Sequence, residues 1–320
     1  MNRCYLFICN FGIAVTFVCL LWILPAHSLS IVPEPNTADV FLKSAIDKLQ
    51  HENYQEAIPD LTAAIRLKKN FAPAYSDRCL AYLQLADYQN AIADCNQALH
   101  LIPQNVEAYL NRGLAYYRLG KYQQAIRDYH HAILLKPHDF RAYYNRGLAY
   151  AILGNHQQAI SDYDTALKNI YPTANFHRAD IYNDRGLAWF ELSDLSAAID
   201  DFSQAIVFNP NDHRTYYNRG CVCGKGGDFS GAIRDFTAAI QLNPQNAQAY
   251  LNRGVAYHQI GHEQAAIADL RQAVKYFNQQ GETTNLQNTI GLLKNLQQQI
   301  SLRSEIAMNV TLIPNLNITR

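Results

Sequence analysis

The chain has 320 residues with 27 basic and 27 acidic side chains, so its formal net charge is zero and no basic field steers it to nucleic acid or to an acidic membrane surface. A hydrophobic content of 49% can supply the core of one large or two ordinary domains, while charged residues at 17% leave Asn and Gln to fill much of the surface. Polar neutral groups are therefore expected to meet any partner, and nucleic acid is not expected among the partners.

Residues 4 to 24 are almost wholly apolar, with Arg3 before them and Pro25, Ala26, His27 and Ser28 after them. A basic start, an apolar run and small residues at Ala26 and Ser28 predict a secretory signal over 1–28, cleaved after Ser28, followed by a linker over 29–37. A run of about 20 apolar residues is also long enough to anchor in a bilayer uncleaved. Either way Arg3 stays inside, which puts the rest of the chain in a periplasm, a lumen or the extracellular space. Membrane contact is expected only through this segment. Cys19 lacks the small preceding residue of a lipidated cysteine, so lipidation is not expected.

From residue 38 to 280 the sequence repeats itself. In the clearest copy, residues 106–139, Tyr109, Gly113, Leu114, Tyr116 and Tyr117 fall at helical spacing. After Gly120, a second helical stripe carries Ala125, Ile126, Tyr129, Ala132 and Ile133, and Pro137 stops it. Such a helical hairpin cannot bury its apolar face alone and must stack on its own kind. With Val106 as position 1, stepping by 34 finds Ala45, Cys79, Gly113 and Gly147 at position 8, then Gly186, Gly220 and Gly254 after five extra residues. The seven units run at about 38–71, 72–105, 106–139, 140–178, 179–212, 213–246 and 247–280. Position 4 is aromatic throughout, from Phe41 to Tyr250; positions 20 and 27 are always Ala and position 21 always Ile. Small residues let paired helices approach closely and the Ile fills the seam.

These columns resemble the tetratricopeptide repeat family, whose unit carries an aromatic at 4, Gly or Ala at 8, Tyr at 11, Ala at 20, an aromatic at 24, Ala at 27 and Pro at 32. The Asn-Arg-Gly triplets starting at Asn111, Asn145, Asn218 and Asn252 look like the variant common in arrays of photosynthetic bacteria. The resemblance covers roughly three quarters of the chain. It implies an all-α fold, a right-handed α-solenoid of seven helix pairs whose first helices line a concave groove for peptides or partner proteins.

Three regions depart from the pattern. The fourth unit ends in an insertion containing Tyr171, Pro172 and Phe176, a longer loop that a solenoid can simply tolerate or offer to a partner. The sixth has Gly224, Lys225, Gly226 and Gly227 where its first helix ends, which predicts weak helix termination and local flexing. After the last unit, Thr283 or Thr284 can cap a helix over 282–303 with an apolar stripe of Leu286, Ile290, Leu293, Leu296 and Ile300, shielding the last open face. No period is visible in the tail, 304–320.

Two columns carry opposite charges. Position 23 is Asp in every unit, namely Asp60, Asp94, Asp128, Asp162, Asp201, Asp235 and Asp269. Position 7 is Arg in six, namely Arg78, Arg112, Arg146, Arg185, Arg219 and Arg253, with Ser44 in the first. If each Arg reached the Asp of the preceding unit, the first would need none. That predicts a ladder between units, Asp60 with Arg78, Asp94 with Arg112 and so on, fixing stacking geometry. Cys79 and Cys95 occupy positions 8 and 24 of the second unit; the spacing allows a disulfide, but two buried thiols in place of Gly and Tyr are expected. Cys221 and Cys223 point in different directions on one helix.

Carboxylates held ionised by guanidiniums make poor general acids or bases. His258 and His262 are separated by a turn at Gly261, and His51-Glu52 lacks the second His of a zinc-protease motif. No enzymatic activity, catalytic residue, metal, cofactor or small-molecule substrate is therefore expected.

The groove is better supplied. Positions 2, 5, 6, 9, 12 and 13 of each first helix should face it, which places Asn111, Asn145, Asn218 and Asn252 in one row able to clasp a peptide backbone. Leu110, Tyr144, Tyr217 and Leu251 at position 5, with Tyr117, Phe190 and His258 at position 12, would add contact area. Family members that clamp a chaperone's C-terminal carboxylate use Lys at 5 and Asn at 9, a pair no unit here has, so that mode is not expected. The expected function is capture of an extended peptide or partner protein in the groove. The alternative is an assembly scaffold for an envelope or photosynthetic membrane complex working through its outer face or ends. An enzyme accessory domain is a third reading.

Overall fold

The computed structural model describes residues 37–311, with side chains to 303; residues 1–36, where the expected signal or anchor falls, and 312–320 lie outside the described residues. Among the described residues there are fifteen helices, fourteen of them forming seven antiparallel pairs. The pairs are α1 (Ala38–Gln50) with α2 (Tyr54–Leu67), α3 (Ala72–Gln84) with α4 (Tyr88–Leu101), α5 (Val106–Arg118) with α6 (Tyr122–Leu135), and α7 (Phe140–Ile152) with α8 (His156–Asn169). They continue as α9 (Asn175–Glu191) with α10 (Leu195–Phe208), α11 (His213–Lys225) with α12 (Phe229–Leu242), and α13 (Ala247–Gln259) with α14 (Glu263–Gln280). Each second helix packs on the first helix of the next pair. Successive first helices also touch one another, which puts them on the inside of the curve. The result is an α-solenoid, closed at its end by α15 (Thr283–Thr311).

Local sequence sets each boundary. Side-chain oxygens of Thr37, Asn105, Asp139, Asp212 and Asn246 accept the free N–H groups that open first helices. Between the two helices of every pair, position 15 adopts a positive φ, as Gly at 120, 154, 227 and 261 but as Glu52, Ala86 and Ser193 elsewhere. The sixth unit therefore terminates as its siblings do. Its α11 is 13 residues long, as is α7, so the expected weak termination is corrected.

The insertion is mostly helix. α9 is 17 residues long against 13 in α7, so the added residues form an extra N-terminal turn. Arg178 Nη2 donates to the Ile170 carbonyl at 3.1 Å and fixes that turn, while Tyr171 and Phe176 stay exposed. α15 in turn runs eight residues beyond the expected cap, into what the sequence offered as an irregular tail. Leu293, Leu296 and Ile300 pack on the last pair, as does Leu286.

Inside each hairpin, positions 8 and 24 are coupled by volume. A Cβ on Gly147 would lie 2.6 Å from Tyr163 Cε1, and one on Gly113 would lie 2.7 Å from Tyr129 Cε1. The glycine exists because an aromatic ring lies flat on its backbone. Gly147→Ala should therefore cost about 1–3 kcal/mol through overpacking, read as a lower urea midpoint at unchanged slope. In the second unit Cys79 and Cys95 replace glycine and ring together, and their sulfurs are bonded, with Cα atoms 5.4 Å apart. The expectation of two free thiols is thus corrected: the bridge fills the space the ring occupies elsewhere and staples α3 to α4. Cys221 and Cys223 are free.

The charged ladder also differs from expectation. Every Arg binds the Asp of its own unit, sixteen residues on, through two parallel bonds. Arg112 Nε and Nη2 reach Asp128 at 2.8 and 2.6 Å, and the same fork joins Arg78 to Asp94, Arg146 to Asp162, Arg185 to Asp201, Arg219 to Asp235 and Arg253 to Asp269. Pairing between units through position 23, such as Asp60 with Arg78, does not occur. The link to the preceding unit runs through the third nitrogen instead. Nη1 meets position 25 of that unit: Thr62 for Arg78, Asn96 for Arg112, His130 for Arg146, Asp164 for Arg185, Ser203 for Arg219 and Thr237 for Arg253. A unit with no predecessor has nothing for that nitrogen to reach. There Ser44 and Lys48 bind Asp60 at 2.6 and 2.7 Å in place of the guanidinium.

Candidate binding surface

The concave face is built from the first helices. Its amide row is largely committed to the fold. Asn218 Nδ2 donates to Asn183 Oδ1 of the preceding unit at 3.0 Å, and Asn252 Nδ2 donates to the Tyr217 hydroxyl at 3.1 Å. One unit earlier, the Tyr144 hydroxyl donates to Asp184 Oδ2 at 2.7 Å. Positions 5 and 6 of neighbouring units therefore stitch the first helices together. Asn145 is buried, and Asn111 is half-exposed.

The flanking residues divide likewise. Leu110 is buried in its own hairpin. Tyr144 packs on Tyr163, Tyr217 on Phe236, and Leu251 on the cluster under α15. Tyr117 meets Tyr122 edge-on, and Phe190 lies under the Lys225 ammonium at 4.5 Å. All but Leu110 keep part of their surface open.

Position 9, expected on this face, forms the groove's floor. Position 9 reads Ile46, Leu80, Leu114, Leu148, Leu187, Cys221 and Val255, apolar in every unit. Ile46 in the first unit and Val255 in the last are each 38% exposed, and Ile152 at position 13 of the fourth is 51% exposed. At the far end this row runs into a cleft of about 140 Å³ between α13 and α15, lined by Val255, His258, Leu292 and Leu296. Between these two ends the row is closed or half-buried, with Leu114 at 7% exposure and Leu80, Leu148 and Leu187 partly covered.

Along the other side of the floor lies a charged strip at positions 2 and 6. Arg141 binds Asp139 at 2.6 Å and Glu107 at 2.6 Å. Arg214 repeats the arrangement with Asp212 at 2.8 Å and Asp180 at 3.3 Å. Burial alone would lift the Asp139 and Asp212 carboxyls, but hydrogen bonds from Arg141 and Arg214 outweigh it and hold both below the usual range. Asp77 and Asp184 have no ion-pair partner among the described residues. Burial pushes both carboxyls to about 6, and Asp180 adds to the rise at Asp184. Among the described residues no three His, Cys, Asp or Glu side chains converge on a point that could hold a metal.

An acid whose folded value is raised binds more protons folded than unfolded between pH 3.8 and about 6, so its contribution to stability falls as pH rises through that window. Asp184→Asn should thus raise stability at pH 7.5 by on the order of 1 kcal/mol after solvent screening, seen as a higher melting temperature, and the difference should close by pH 4. Paired melts at the two pH values check this.

Repeat models described as "Tetratricopeptide repeat" or "TPR repeat" match residues 42–106 and 110–175, 79–135, 222–261 and 247–280, together more than half of the chain. The chain belongs to the tetratricopeptide repeat family. Proteins of this family bind proteins or peptides. No curated protein sequence matches this tetratricopeptide chain. It is similar in structure to PilW, described as a widely conserved type IV pilus biogenesis factor, at 19% identity with a TM-score of 0.60, over 68% of this chain and 98% of that one. A tetratricopeptide repeat protein from Parabacteroides merdae superposes with a TM-score of 0.59 at 20% identity, over 79% of this chain and 98% of that one. Pseudomonas aeruginosa pilF gives 0.57 at 16% identity, over 71% and 97%. At such identities the likeness is one of fold.

Proposed function

We propose that this tetratricopeptide array is a protein-interaction module that holds a segment of a partner protein along its concave face, on the non-cytoplasmic side of a membrane. The apolar row at position 9 carries the reading, because it keeps Ile46 and Val255 open to water at its two ends and half-buried leucines between them. The Asn row has a smaller role than its sequence suggests, since Asn218 and Asn252 already spend an N–H on neighbouring helices. Asn111, Tyr117 and Phe190 remain as the polar and aromatic contacts beside the floor. The disulfide between Cys79 and Cys95 supports an oxidising compartment and so favours export.

A scaffold working through the edge of the solenoid is the second reading. Phe176 at 65% exposure and Val207 at 72% favour it. The two separate by substitution: Ile152→Arg with Val255→Arg should abolish recovery of the co-purifying partner, while Phe176→Ser with Val207→Ser should leave it intact. Both variants should keep the parent's helical circular dichroism, as the altered side chains are exposed. The reverse pattern of recovery would discard the groove.

A further inference from the structure

The concave floor is apolar, and the strip beside it is acidic. Asp39, Asp77, Glu107, Asp139, Asp180, Asp184 and Asp212 lie along or at the head of positions 2 and 6, against Lys43, Arg141, Arg178 and Arg214. Arg141 and Arg214 are each already held by two carboxylates. The negative excess is therefore concentrated at two places, Asp77 in the second unit and Asp184 with Asp180 in the fifth, where nothing among the described residues neutralises the carboxylates fully. The strip has no convergent set of ligands for a metal ion. Its charge is instead spread along the direction in which an extended chain would lie.

We infer that the segment bound in the groove is a basic, apolar peptide, whose aliphatic side chains lie on the position-9 floor while Lys or Arg side chains meet Asp77 and Asp184. This inference rests on the groove reading and names the partner's chemistry. Asp77 and Asp184 are three units apart, so with packed helices spaced about 8–10 Å the two carboxylates stand roughly 25–30 Å from one another. An extended strand rising about 3.3 Å per residue covers that with about eight or nine residues. An arriving ammonium or guanidinium would supply the opposite charge each carboxylate lacks, and burial strengthens such a pair relative to one in open water. An acidic C-terminal peptide would meet like charge along the same strip, the opposite of a carboxylate clamp.

The direct test is selection of random 12-residue displayed peptides on the immobilised full-length protein, followed by fluorescence anisotropy with the enriched sequence. Peptides enriched in Lys or Arg alongside Leu, Ile, Val or Phe are expected. Changing the basic residues of the best peptide to Gln should weaken it at least tenfold. The double variant Asp77→Asn, Asp184→Asn should bind the parent and Gln peptides alike while melting no lower than the wild type. Affinity for the basic peptide should also fall between pH 7.5 and pH 5.5 in the wild type and stay level in the double variant. Enrichment of acidic or uncharged peptides that Val255→Arg displaces would overturn the basic preference and leave the groove standing. An enriched basic peptide that the Asp variants bind unchanged would overturn it as well. No enrichment of any peptide would overturn both.

Discussion

Arg146→Ala should lower stability by about 3 kcal/mol, the largest single-residue effect anticipated in the array. The substitution strips Asp162, whose side chain is 7% exposed, of two hydrogen bonds at 2.7 and 2.8 Å and leaves a nearly buried carboxylate without its cation. It also removes the contact from Nη1 to His130, the tie to the preceding unit. The value is set toward the low end for a broken buried pair because Arg146 itself retains 17% exposure. Urea unfolding measures the loss, and native-state hydrogen exchange should place it first in α7 and α8, since each unit leans only on its neighbours. Arg146→Lys keeps the charge but not the planar fork, and should fall between wild type and Ala. A loss below 1 kcal/mol in Arg146→Ala would mean that the ladder is ornamental.

Removing the bridge between Cys79 and Cys95 should cost a similar amount. The two residues are 16 apart, and closing a loop of that size in the unfolded chain is worth about 3 kcal/mol. Cys79→Ser with Cys95→Ser should lose somewhat more than reduction alone, because hydroxyls replace apolar sulfur at positions that are fully buried. Non-reducing peptide mapping should recover one linked pair of peptides, with Cys221 and Cys223 alkylated without prior reduction. Recovery of Cys79 and Cys95 as free thiols in the purified protein would contradict the assignment and would also remove the support it lends to export.

Much of this fold can be read from the amino-acid sequence because a repeat states each structural rule seven times. Ala at positions 20 and 27 and the aromatic at position 4 define the hairpin without help from any long-range contact. Pairings are less legible. The absence of Arg from the first unit pointed correctly to a missing neighbour, but a guanidinium has three nitrogens, and sequence alone does not say which one crosses the seam. The answer lay in position 25, whose occupants Thr62, Asn96, His130, Asp164, Ser203 and Thr237 share an ability to accept a hydrogen bond and little else. The cysteines in the second unit were misread because each was considered as a replacement for a separate residue. Gly147 under the ring of Tyr163 shows that positions 8 and 24 change together, so the pair has one volume to fill.

The binding surface shows the same contrast. Asn218 and Asn252 drew attention as a regular polar column, and a regular polar column is also what stitches identical helices side by side. The floor at position 9 is equally regular but apolar, and its place on the groove face follows from the helix periodicity. Its exposure depends on place in the array: Val255 in the last unit is 38% exposed, whereas Leu114 in the third is 7% exposed.

Site-specific photo-crosslinking tests the central claim most directly. A benzophenone amino acid placed at Ile152 or Val255 reports from the concave face, and one at Gln204 or Arg234 reports from exposed positions on second helices. A single protein adduct formed from Ile152 and Val255, and absent from Gln204 and Arg234, is the expected result. Adducts that form only from the second helices would contradict the account.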